Sequence, residues 1–125
     1  MLQHSGIGQI ALTVSNVADA TAFYRDRVGL KFLFEVPGMS FFDAGGPRLL
    51  LGQAEPGSTA APGSTILYFR VDDIEAAHRE LSARDVPCLR EPRLAHRAGD
   101  HDLWLAFYRD PDENRFALMS EVRSS

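Results

Sequence analysis

A chain of 125 residues with 45% apolar and 24% charged side chains holds one domain's worth of sequence, enough for a real core. Its formal charge of −4, from 13 basic and 17 acidic residues with no basic run, speaks against a nucleic-acid partner. Apolar runs of only a few residues leave no membrane span, and the start MLQHSGIG lacks the pattern of a secretion leader. The lone Cys88 forms no internal disulfide, so the expected compartment is the cytoplasm.

The first element runs from Gly8 to Leu30, a strand turning directly into a helix. Ile10, Leu12 and Val14 form an apolar row, with Gln9, Ala11 and Thr13 on the opposite face. Asn16 is placed to cap the helix, Val17, Ala20, Tyr24 and Val28 share one stripe, and Gly29 closes it in the left-handed region. Strands follow at Lys31 to Val36, Met39 to Asp43 and Arg48 to Leu51, the last read as buried on both faces. Gly52 to Gly63, GQAEPGSTAAPG, has the composition of a linker.

Thr65 to Val71 is another alternating strand, Asp73 a cap, and Ile74, Ala77 and Leu81 a second helical stripe. Pro87 to Glu91 is expected to be a strand and to bury Cys88 halfway as a structural thiol. Pro92 to Asp100 reads as a loop carrying His96 and Gly99. Leu103 to Arg109 and Arg115 to Glu121 are the last strands, joined by Asp110-Pro111-Asp112-Glu113-Asn114, where Pro111 fixes an early turn position and Asn114 suits the left-handed one. Setting Val14 on Val71 aligns Asn16 with Asp73, Val17 with Ile74, Ala20 with Ala77 and Tyr24 with Leu81. Five matches, each in the same structural role, identify an internal repeat.

The expected fold is therefore α+β: a βαβββ module over 7–52, a linker over 53–63 and a second module over 64–122. Eight strands lie in two sheets with helices outside, and the faces turned from the helices line a shared trough. Alternation assigns that trough Gln9, Ala11, Thr13, Ile66, Tyr68, Arg70, Ala117, Met119 and Glu121, with Trp104 and Tyr108 from the neighbouring strand and Phe41 or Phe42 from the first half.

With these elements in place, the chain resembles the vicinal oxygen chelate superfamily of glyoxalases, bleomycin-resistance proteins and extradiol dioxygenases. The resemblance rests on Ala22-Phe23-Tyr24-Arg25-Asp26 through Gly29-Leu30, on Val71-Asp72-Asp73-Ile74 and on the Asp110–Asn114 turn, with Glu113 where glycine is usual. It implies the trough as the site, a homodimer, and a divalent metal held by His, Gln or Glu on the first and last strand of each half. Gln9 fills one such position. Ile66 and Ala117 fill two others and cannot bind metal, and the fourth strand offers only Leu49, Leu50 and Leu51.

No metal of the usual design is therefore expected, although Gln9, Glu121 and His96 or His101 could rebuild one. The leading expectation is a metal-free binding module for a small, partly aromatic or acidic molecule, held by Gln9, Thr13, Tyr68, Arg70, Trp104, Met119 and Glu121. An enzyme is the alternative: a glyoxalase-like lyase, isomerase or dioxygenase, or a metal-free catalyst with Glu121 as acid–base group and Arg70 stabilising negative charge. A third reading is a structural or regulatory dimer with a filled trough. Arg70 on a concave strand face needs an acidic partner, either Glu121 or a ligand.

Overall fold

The computed structural model describes residues 2–53 and 65–123, so the connection read at 53–63 lies outside the described residues apart from Gln53. The chain forms two compact units, residues 1–62 and 63–125. The first runs β1 (Gln9–Val14), α1 (Val17–Ala22) continuing as a π-helical stretch over Phe23–Val28, β2 (Lys31–Val36), β3 (Met39–Asp43) and β4 (Arg48–Gln53). The second runs β5 (Ile66–Arg70), α2 (Ile74–Ala83), β6 (Cys88–Ala98), β7 (His101–Arg109) and β8 (Arg115–Arg123). Each is a four-stranded sheet, ordered β1-β4-β3-β2 and β5-β8-β7-β6, in which the first strand pairs with the last in parallel. Both βαβββ modules thus form as expected.

The repeat extends to atomic detail. Asn16 Oδ1 accepts from the Asp19 N–H and Asp73 Oδ1 from the Ala76 N–H, each at 3.0 Å, so both helices start on the same side-chain cap. The two then diverge by one residue. Thirteen positions separate Asn16 from the left-handed Gly29 (φ 84), but only twelve separate Asp73 from the left-handed Asp85 (φ 59). The extra residue is taken up by the wider π turn over Phe23–Val28, where the Gly29 N–H reaches back to the Tyr24 carbonyl.

One face of each sheet is core. In the first unit Leu12, Val14, Leu49, Leu51 and Phe42 are buried with Ala20, Phe23 and Tyr24 of the helix. The Thr21 hydroxyl donates to the Val17 carbonyl at 2.6 Å, so the buried Ser40 hydroxyl must donate to Thr21 across 2.6 Å, tying α1 to β3. Only Leu49 and Leu51 are buried; Leu50, between them, is half-buried on the other face, which corrects the reading of β4 as buried on both sides.

In the second unit Ile74, Leu81, Val86, Ala106, Tyr108, Phe116 and Leu118 are buried. The His78 Nδ1 lies 2.7 Å from the Tyr108 hydroxyl, joining α2 to β7, and burial pushes the Tyr108 phenol well above its ordinary pKa. Cys88 is exposed rather than half-buried, yet what burial it has raises its thiol and leaves a poor nucleophile.

The expected Pro92–Asp100 loop is instead strand. β6 continues to Ala98 and turns at Gly99 (φ 66) into β7, so His96 and His101 sit on a hairpin. Pro92 marks no break because β6 is the sheet edge, where a missing N–H costs nothing on the open side. Three register shifts along the β6–β7 pairing absorb its irregularity.

In the turn before β8, the buried Asp110 Oδ1 accepts from the N–H groups of Asp112 and Asn114, each at 2.8 Å, while the Asn114 amide donates to Asp110 Oδ2 at 3.0 Å. The left-handed residue is Glu113 (φ 65), not Asn114. A β-carbon there costs about 1 kcal/mol, and the Arg109–Glu113 ion pair at 3.2 Å is too exposed to offset it. Glu113→Gly is therefore expected to stabilise the protein by about that amount, read as a higher urea midpoint.

Candidate functional site

The helix-free face of each sheet collects the residues with chemistry. In the first unit, cross-strand register lines up three rows: Gln9, Arg48, Asp43 and Lys31; Ala11, Leu50, Phe41 and Phe34; Thr13, Gly52, Met39 and Val36. The Phe34 and Phe41 rings stack at 4.4 Å and the Arg48 guanidinium lies 5.7 Å from the Phe41 centroid. Phe41 therefore faces outward and Phe42 is core. The Gly46 and Gly45 N–H groups, donating to Asp43, hold its carboxyl below the usual range. That turn contact is complete above the ordinary Asp pKa and is lost as pH falls through the depressed value.

In the second unit the rows are Ile66, Arg115 and Arg109; Tyr68, Ala117, Phe107 and Arg90; Arg70, Met119, Leu105 and Arg93; and Glu121, Leu103 and His96. Tyr68 and Phe107 meet edge to face at 6.1 Å across the buried Ala117. Arg70 donates to Glu121 at 3.2 Å, so the expected partnership forms. It is an exposed pair, with side chains 71% and 47% accessible, and its contribution to stability is small.

The structure thus brings Tyr68, Arg70, Met119 and Glu121 onto one face. Gln9 and Thr13 lie on the corresponding face of the first unit. Trp104 does not join them. It pairs with Ser120, four residues along from the Tyr108–Phe116 pair, and so shares the helix-facing side of β7 with Ala106 and Tyr108. The outward set on β7 is Leu103, Leu105 and Phe107. A signal for this lay in the turn: with Arg109 opposite Arg115, Tyr108 must sit opposite Phe116, which alternates with the outward Ala117 and so faces the helix.

Around Phe107 lies a cavity of about 290 Å³ lined by Leu89, Arg90, Phe107 and Arg115, none of which the trough assignment included. At the positions where the resemblance implies metal ligands, Ile66 and Ala117 face outward, and β4 presents Arg48, Leu50 and Gly52 beside Gln9. These side chains do not fit a divalent ion, which needs several oxygen or imidazole donors. Among the described residues no three His, Cys, Asp or Glu side chains cluster to hold one. Nor is any described helix long and apolar enough to cross a membrane.

Two repeated βαβββ modules with one open face each define the class of paired-module proteins to which comparison then gives a family. The profile described as the Glyoxalase/Bleomycin resistance protein/Dioxygenase superfamily matches residues 6–118, and the chain belongs to that family, the vicinal oxygen chelate proteins. An integron cassette protein of V. cholerae has the same fold, with TM-score 0.77 and 22% identity over 96% of this chain and 98% of its own. The lactoylglutathione lyase of Agrobacterium tumefaciens is similar, with TM-score 0.73 and 25% identity over 94% and 95% of the two chains. An uncharacterized protein of Bacillus subtilis, YraH, is 25% identical over 119 residues, 85% of this chain and 91% of its own.

Proposed function

We propose that this protein binds a small, partly aromatic or acidic molecule on the open faces of its sheets, without the metal site usual in its family. The observation that carries the reading is the Tyr68–Phe107 aromatic pair on a face edged by arginines. Apolar surface with a few placed charges is the make-up of a small-molecule site. Side chains unsuited to metal at Ile66, Ala117 and Leu50 favour binding over metal chemistry. Exposed Phe34, Val36 and Met39 on the first unit support a homodimer, checked by sedimentation against twice the chain mass.

A screen of aromatic and acidic compounds by thermal unfolding tests the binding function. Stabilising compounds are expected, and their effect should shrink in Tyr68→Ala, whose exposed ring contributes little to the fold. A screen in which nothing raises the unfolding temperature overturns the reading.

A catalytic reading draws on the likeness to the Agrobacterium lyase and on the Arg70–Glu121 pair, with Glu121 as acid–base group and Arg70 stabilising developing charge. Consumption of lactoylglutathione that disappears in Glu121→Gln would favour it over simple binding.

A further inference from the structure

We infer that the cavity lined by Leu89, Arg90, Phe107 and Arg115 takes an organic anion, a carboxylate or phosphate carried on a flat apolar body. The inference rests on the binding function proposed above and places the anion at one end of the second sheet. Two arginine side chains line the cavity, and among the described residues no acidic one does. Neither forms an ion pair or hydrogen bond among the described residues, whereas Arg25, Arg70, Arg84 and Arg109 each hold a carboxylate. On a chain of net charge −4, an acid-free arginine pair is not a by-product of basic composition.

The planar forks of the two guanidinium groups match the two oxygens of a carboxylate or phosphate. Two like charges around one small space repel, and a bound anion removes that cost. The remaining walls specify the body of the ligand. Leu89 is 49% exposed and Phe107 continues edge to face into Tyr68, a floor suited to a ring. At about 290 Å³ the space is at the small end of ligand sites, roughly 300–1,000 Å³.

Calorimetric or NMR titration with benzoate and phenyl phosphate, with benzyl alcohol as the neutral control, tests the assignment. At least one anion is expected to bind, with benzyl alcohol at least about tenfold weaker. Arg90→Gln and Arg115→Gln should each weaken the anion at least about tenfold, with unfolding temperatures unchanged because both side chains are exposed. The tighter of the two anions identifies the headgroup. Anion binding that survives both Gln variants but is lost in Arg70→Ala overturns the inference and leaves the broader binding function standing. So does equal binding of benzyl alcohol. Failure of both anions overturns the inference as well, and the broader function then fails only if the wider thermal screen is also blank.

Discussion

Asp110→Ala is expected to lower the unfolding free energy by about 3 kcal/mol, read from urea titration. The fully buried carboxylate accepts three hydrogen bonds within one five-residue turn, two from the Asp112 and Asn114 N–H groups and one from the Asn114 amide. Bonds to a charged acceptor contribute roughly 1.5–3 kcal/mol each and do not add fully, because they share one side chain. Truncation also leaves the donors of Asn114, itself 1% exposed, without their acceptor. Asp110→Asn keeps one oxygen and should cost about half as much. A loss under about 0.5 kcal/mol for the alanine variant would mean that water replaces the carboxylate and that the turn does not organise the β7–β8 hairpin.

Phe42→Ala is expected to cost about 4 kcal/mol, as large-to-small changes at a filled core position do. Phe42 is fully buried and meets Tyr24 and Phe32 edge to face, with centroids at 6.4 and 5.6 Å. Its neighbour Phe41 points the other way, half-buried against Phe34, and Phe41→Ala should cost less than half as much. The two variants together read out which face of the first sheet is core. Equal losses would contradict the assignment of an open face, and with it the location of the candidate site.

Most of this architecture was legible because the chain states it twice. The caps Asn16 and Asp73 and the apolar rows of β1 and β5 each rest on local rules of period and capping, and each formed as read. What was illegible depended on pairing. The extra residue in the first helix produced a π turn that no apolar stripe announces. Pro92 marked a loop only if its strand were central, and edge position is a property of the finished sheet. Left-handed geometry fell on Glu113, against the preference of Asn114, because the Asp110 carboxylate binds Asn114 through both its backbone N–H and its amide.

The candidate site divides in the same way. That Tyr68, Arg70, Met119 and Glu121 share one face followed from alternation along single strands. Trp104 was misplaced because the parity of β7 comes from its register with β8. Arg90 and Arg115 were passed over because they lie where a bulged edge strand and a strand start come together around Phe107, a juxtaposition no linear pattern carries.

The metal content of protein purified without a metal-affinity tag, measured together with ligand stabilisation before and after chelation, tests the central claim most directly. The expected result is far less than one divalent ion per chain and a thermal shift by aromatic acids that chelation leaves unchanged. One ion per chain, lost in Gln9→Ala and carrying the ligand response away with it, would contradict it.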